Sequence, residues 1–209
     1  ILKHNYDETD FKAALQIAFE HDNTVLIEKF IPGREFRIFI INDEVVGILH
    51  RVPANVTGDG VLNIGQLIDR KNEDPLRGKG YRTPLEKIRK GREEEMFLKQ
   101  QGMDFNTVPK EREVVYLREN SNISTGGDSI DFTDDIDDSY KAIAVEAAKA
   151  LNVKITGLDM MIQDIHAPAT PDNYAIIEMN FNPAIHIHCY PFKGKNRHLN
   201  HKMIKALGF

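Results

Sequence analysis

Two short runs near the C-terminus hold the residue types best suited to chemistry: Gly157-Leu158-Asp159-Met160-Met161-Ile162 and Ala175-Ile176-Ile177-Glu178-Met179-Asn180. In a strand, successive side chains point to opposite faces. Asp159 then shares a face with Gly157 and Met161, and Glu178 shares one with Asn180. The intervening loop contains Pro168 and Pro171. Antiparallel pairing about that loop brings Asp159 close to opposite Glu178 and sends Leu158, Met160 and Ile162 to the core, with Ala175, Ile177 and Met179 as the apolar face of the second strand. Facing carboxylates repel unless a cation lies between them. Hard oxygens plus a neutral amide suit Mg²⁺, which takes few protein ligands when phosphate oxygens supply the rest. The plain alternative is a solvated polar sheet face.

A second run, Val25-Leu26-Ile27-Glu28-Lys29-Phe30-Ile31-Pro32-Gly33-Arg34-Glu35, reads as a strand over 24–30 stopped by Pro32-Gly33. A strand end can offer adenine one backbone acceptor and one donor, and a carboxylate a few residues on can accept two ribose hydroxyls. Taken alone, the run reads more readily as a strand with exposed charges followed by a turn.

Other features carry less. His186-Ile187-His188 has the spacing of a strand-borne metal pair, but one cysteine follows and no further ligands lie near in sequence, so a substrate-pocket or structural role is favoured. Cys189 lacks an oriented base. Glu93-Glu94-Glu95 reads as a solvated helix face. Asp134, Asp135, Asp137 and Asp138 precede a helical pattern and read as capping rather than metal binding. Arg77 and Arg82, near glycines, suit either substrate binding or the surface.

These residues need a scaffold, and the pattern supplies one of mixed type. Helices are expected at 10–20, 64–71, 84–100, 139–151 and 196–207. Strands are expected at 35–41 and 44–50, as a hairpin about Asn42-Asp43, and at 113–117, 154–163 and 174–180. The polar stretch 61–112 reads as an inserted subdomain. The chain has 209 residues, 41% hydrophobic and 28% charged, an ordinary globular balance. A net charge of -5 argues against a nucleic-acid binder. One cysteine excludes an internal disulfide and fits a reducing cytoplasm. No apolar run approaches a membrane span, and no signal peptide is visible. The chain begins at Ile1 without Met and reads as a piece of a longer one.

The two informative runs together resemble the ATP-grasp superfamily: Glu28, Ile31, Gly33 and Glu35 on one strand and its exit, Asp159 on a later strand, then Glu178-Met179-Asn180. Runs at 50–60, 72–78 and 122–127 are similar to those of cyanophycin synthetase and of bifunctional glutamate–cysteine ligase/glutathione synthetases. Gly80-Tyr81-Arg82-Thr83-Pro84 and the stretch from Glu178 to Pro191 look like the glutathione branch. The resemblance covers essentially the whole chain. It implies an α+β, partial ATP-grasp fold over residues 1–209, with mainly antiparallel sheets, flanking helices and an inserted helical subdomain at 61–112.

It also implies roles. Glu28, Lys29 and Ile31 would hold adenine, and Glu35 the ribose. Asp159, Glu178 and Asn180 would ligate two Mg²⁺ ions, with Mn²⁺ an alternative, that bridge ATP phosphates. Arg51 and Arg118 would lie near the transferred phosphoryl group or the substrate carboxylate. Ser124, Thr125, Gly126 and Gly127 would approach the acyl phosphate through their backbone. The implied reaction joins γ-glutamylcysteine to glycine in the cytoplasm. An N-terminal glutamate–cysteine ligase module would be the covalent partner, and the reading is compatible with a homodimer. A cyanophycin-type amino-acid ligase and a non-catalytic fragment are the alternatives. The family's upstream ATP-binding Lys and Gly-rich loop have no counterpart here, so residues 1–209 alone are expected to be inactive.

Overall fold

The structure, a computed structural model, describes residues 7–27, 29–80 and 82–209. Contacts divide the chain into two compact units, one ending at Pro32 and one spanning Gly33–Phe209. In the first, α1 (Glu8–Phe19) forms where helical periodicity placed it. Phe11 and Phe19 of its apolar stripe remain 38% and 53% exposed. The strand expected at 24–30 is not formed by the described residues, which are coil with Leu26 and Ile27 exposed. Apolar composition alone does not make a strand; a ladder partner does, and the described part of this run has none.

The second unit is built on a hairpin. Strands β1 (Arg34–Ile41) and β2 (Glu44–Val52) pair antiparallel about Asn42 and Asp43, whose φ of 48° and 64° match a two-residue turn with both residues left-handed. Chain order then gives β3 (Asn55–Thr57), α2 (Ile64–Lys71), β4 (Arg77–Gly78), β5 (Leu85–Glu86), α3 (Arg92–Gln100) and β6 (Val114–Tyr116). A 3₁₀ turn (Ile123–Thr125), β7 (Asp128–Asp131), α4 (Asp138–Ala150), β8 (Ile155–Ile162), β9 (Tyr174–Asn180), α5 (His186–Cys189) and α6 (Leu199–Ala206) follow. The main sheet is antiparallel throughout, in the order β7-β2-β1-β8-β9.

Its two faces have different fates. Phe36, Ile38, Ile40, Ile48, Leu158, Met160 and Ile162 point to one side and meet Tyr140, Ala144 and Ala148, one stripe of α4 at four-residue spacing. The opposite face is closed at one end only, where Phe39, Ile41 and Val46 pack against Cys189 and Leu199. At its other end that face carries Glu35, Arg37, Arg51 and Asp159. A smaller core of Ala54, Val56, Ile64, Leu67, Ile68, Ile88, Leu98, Val115 and Leu117 lies among β3, β6, α2 and α3. Its members come from within and from both sides of 61–112.

Several sequence expectations need correction. The helix expected at 84–100 starts only at Arg92: Pro84 and Gly91 break the pattern, and Leu85–Glu86 pairs in parallel with Arg77–Gly78. Glu94 is not solvated. It is 1% exposed, accepts the Gly91 N–H at 2.9 Å and is ion-paired with Arg118. His186–Cys189 is one helical turn, so His186 and His188 do not share a strand face. Of the acidic cluster, Asp137 caps α4 by accepting the Ser139 N–H at 2.9 Å, whereas Asp134 binds Arg197 and Lys195. Those hydrogen bonds hold the Asp134 carboxyl well below its ordinary range. On β9, Asp159 pairs with Glu178 and Met160 with Ile176, so Ile177 is an extra residue. Beyond that bulge Ala175 pairs with Met161 on the polar face, and the set Ala175, Ile177 and Met179 does not form one apolar face.

Candidate functional site

The residues at the open end of the sheet face form one charged cluster. Arg37 and Asp159 are register partners on β1 and β8. Arg37 donates to both carboxylate oxygens of Asp159, through Nε and through Nη2, the latter at 2.7 Å. Arg51, on β2, reaches across with Nη2 to Asp159 Oδ2 at 3.0 Å and is ion-paired with Glu35. Ser121 Oγ donates to the other oxygen of Glu35. Asp159 is 1% exposed and Arg37 8%. On β9, Glu178 stands opposite Asp159, and Asn180 opposite Gly157. Asn180 Nδ2 donates to Glu178 Oε1 at 3.0 Å. Gly157 leaves room for the Arg37 side chain: a Cβ there would lie 2.8 Å from Pro183 and 3.0 Å from the Arg37 stem.

Three carboxylates and two guanidinium groups give the cluster a surplus of one negative charge. Glu178 is exposed, and among the described residues no ion pair reaches it. A carboxylate has about four lone-pair sites, so the arginine contacts leave Asp159 acceptor capacity. Asn180 keeps its Oδ1. This oxygen set on one face fits a hard divalent cation. Among the described residues there is no group of three or more His, Cys, Asp or Glu side chains able to hold a metal, so the candidate set depends on the amide of Asn180.

The remaining expected site residues lie elsewhere. Arg118 is bound to Glu94 at 2.6 Å and to Glu93 on α3, and none of its hydrogen bonds or ion pairs is with the Asp159 cluster. Ser124, Thr125, Gly126 and Gly127 form a tight turn before β7. Thr125 Oγ1 donates to Asn120 Oδ1 and the Asn122 carbonyl, both at 2.9 Å, and Gly126 adopts φ 95°. Lys29 and Ile31 belong to the first unit; Glu28 and Tyr81 lie outside the described residues. Arg77 is not on the surface: it is 3% exposed and bound to Asp128. Arg82 is exposed.

Sequence reasoning overlooked Arg37. Its signal was legible, since it alternates with Glu35 on β1, the strand that pairs with the one bearing Asp159. It also overlooked the enclosure of His188, which is fully buried, lies edge-on to Phe39 with 5.4 Å between ring centroids and finds no hydrogen-bond partner among the described residues for either ring nitrogen. Gly47 makes space for that ring; a Cβ would lie 2.8 Å from Nδ1. Burial, with help from Arg37, pushes the His188 imidazole down to about 3. Burial beside Arg34 lowers His50 to about 4.

An α+β unit with one face of an antiparallel sheet closed by a helix, and a carboxylate–amide cluster at the open end of the other, matches the mainly antiparallel α+β architecture anticipated from the motifs. Comparison with known proteins gives the particular kinship. The chain is 62% identical over 209 residues to the glutathione biosynthesis bifunctional protein GshAB of Desulfotalea psychrophila, covering 100% of this chain and 27% of that protein. It is 57% identical over 202 residues to the protein of the same name from Clostridium perfringens, covering 97% and 26%. The crystal structure of a bifunctional glutathione synthetase from Pasteurella multocida superposes with a TM-score of 0.80 at 46% identity, over 96% of this chain and 28% of that one. No protein-family model matches. The chain is thus homologous, along essentially its whole length, to one segment of the bifunctional glutathione-biosynthesis proteins, and spans about a quarter of the length of the curated relatives it matches. No described helix is long and apolar enough to cross a membrane.

Proposed function

We propose that this chain is part of an ATP-dependent carboxylate–amine ligase that makes glutathione from γ-glutamylcysteine and glycine. The observation carrying the proposal is the register of β8 and β9, with Asp159 opposite Glu178 and Asn180 beside it on the open sheet face. Kinship with proteins named for glutathione biosynthesis supplies the substrate class. In this reading Asp159, Glu178 and Asn180 would hold Mg²⁺, which would neutralise charge on the ATP phosphates. Glu35 accepts the ribose hydroxyls; Glu28, Lys29 and Ile31 contact adenine. Arg51 and Arg118 offset charge on the transferred phosphoryl group or the acyl donor. The turn Ser124–Gly127 faces the acyl phosphate. Residues 61–112 form an inserted subdomain within the ATP-grasp unit, and a glutamate–cysteine ligase module is the covalent partner in a cytoplasmic protein.

The chemistry follows from charge and position. The cysteinyl carboxylate of γ-glutamylcysteine attacks the γ-phosphorus of ATP and ADP leaves. Glycine's amine then attacks the acyl carbon, loses a proton and expels phosphate. The protein's share is alignment and charge neutralisation rather than covalent participation. Arg51 suits this task, because its guanidinium already links Glu35 to Asp159, the proposed ribose end to the proposed metal end.

The test is an assay of the full-length protein with γ-glutamylcysteine, glycine and Mg-ATP, following ADP and glutathione together. Equal release of the two supports the proposal. ADP release that depends on a different amine would replace the acceptor. Failure to bind nucleotide or to form any amide would remove the ligase reading.

A further inference from the structure

The Ser124–Gly127 turn rests on a buried polar cluster that the proposed chemistry leaves without a task. Arg77 donates Nη1 to the carbonyls of Gly126 at 3.0 Å and Glu86 at 2.9 Å, and its Nη2 is ion-paired with Asp128. Asp128 is 4% exposed and opens β7 immediately after the turn. It also accepts Lys71 Nζ at 2.7 Å and Asn55 Nδ2 at 3.0 Å. Lys71 Nζ donates further to the Asn55 carbonyl and Oδ1, at 2.9 and 3.0 Å. The Phe192 ring covers both cations, its centroid 5.2 Å from Lys71 Nζ and 5.5 Å from Arg77 Cζ. Segments from β3, α2, β4, β5, β7 and the stretch after α5 therefore meet beneath Gly126.

Stability alone is a weak reason for such a cluster. Arg77 and Asp128 have been taken out of water with Lys71 half-buried beside them, and buried ion pairs are often matched or bettered by apolar side chains of similar volume. An apolar set cannot supply the hydrogen bond to the Gly126 carbonyl. That bond acts on a turn with little slack. Gly126 has φ 95°, and a Cβ there would lie 2.8 Å from Ile88 Cα; at Gly127 it would lie 2.8 Å from the Val52 carbonyl oxygen. The peptide orientation between these glycines is thus set from below by Arg77 and from the following residue by Asp128.

We infer that Arg77 and Asp128 are positioning residues for the acyl donor, fixing the Gly126-Gly127 turn against which the γ-glutamylcysteine carboxylate is activated. Lys71 and Phe192 tie that setting to α2 and to the segment after α5. This rests on the proposed ligase reading, and the two can fail separately.

The test uses the full-length protein. A Lys71→Met, Arg77→Met, Asp128→Leu triple variant replaces the cluster with apolar groups of similar bulk, and Arg77→Lys keeps the charge but loses the fork. Both are expected to bind Mg-ATP within about twofold of the parent. kcat/KM for γ-glutamylcysteine should fall by about 100-fold in the triple variant, the scale of an ångström-level misplacement, and by less in Arg77→Lys. Parent-like kcat/KM in a folded triple variant, or a parallel loss of ATP affinity, would overturn the inference. If the triple variant does not fold, Arg77→Lys decides by the same criteria. Hydrogen exchange of the Gly126 and Gly127 amides reads the turn without the reaction and should quicken in Arg77→Lys. Unchanged exchange overturns the inference even if the parent makes no glutathione, an outcome that would count against the ligase reading instead.

Discussion

At the scale of single residues, the site is a competition for carboxylate oxygens. Asp159 is held by Arg37 and Arg51, whereas among the described residues Glu178, across the ladder, has only the Asn180 amide. Glu35 is shared between Arg51 and Ser121. Glu35→Ala in the full-length protein is expected to raise KM for ATP more than it lowers kcat, because a ribose contact is remote from bond breaking. A charge-assisted hydrogen bond is worth about 1.5–3 kcal/mol, or roughly 10- to 100-fold in KM. An unchanged KM with collapsed kcat would assign Glu35 to the phosphoryl end through Arg51. His188 permits a second test. Its ring nitrogens make no hydrogen bonds with the described residues, so His188→Phe should leave the melting temperature at pH 7 unchanged or raised. The unfolded imidazole protonates near 6.5 while the folded one stays neutral down to about 3. His50 behaves alike down to about 4. Stability present above pH 6.5 is therefore lost as pH falls, since the unfolded chain takes up protons first. Proton uptake on unfolding at pH 5 should drop by about one in His188→Phe; no change would mean the ring is hydrated in solution.

At the scale of elements, the sequence was most legible where local chemistry and pairing agree. The Asn42-Asp43 turn and α2 fell where residue type and period put them, and the Asp159–Glu178 pairing followed from period two together with a loop centred near Pro168 and Pro171, although the bulge at Ile177 undid the apolar face expected of β9. Legibility failed where the decisive contact is distant. Glu94 looks solvated until Arg118, 24 residues on, is seen to reach it. Arg77 suits either substrate binding or the surface until Asp128 is seen to close over it. The run at 24–30 has strand composition, but composition does not specify a neighbour. The hairpin supplies a direct check. Asn42 and Asp43 sit at φ 48° and 64°. A β-branched residue there costs about 1–2 kcal/mol. Asp43→Val should lower the denaturation midpoint accordingly, and Asp43→Gly should raise it; equal midpoints would mean the turn relaxes to another type.

At the scale of the whole molecule, the sheet divides labour between its faces. One face is filled by α4; the other is left partly open and, in the proposed function, binds the nucleotide. If that division holds, Mg-ATP should stabilise the full-length protein by mass action, by about 2.7 kcal/mol at a hundredfold excess over Kd. A Glu178→Gln, Asn180→Ala variant should fold as well as the parent yet lose this thermal shift, because both side chains lie on the open face. A retained shift would move the nucleotide to other residues.

The extra residue at Ile177 has a consequence beyond aligning Glu178. Among the described residues β9 is the outermost strand of its sheet, and Ile176 and Ile177 are 40% and 54% exposed. A long, regular, apolar border is a template for another chain to add itself, the first step toward insoluble fibres. A bulge breaks that regularity and twists the border away. Deleting Ile177 would restore an even ladder at the cost of turning either Glu178 or Ile176 to the wrong side. The irregular strand thus discourages unwanted self-association while leaving both side chains on their proper faces.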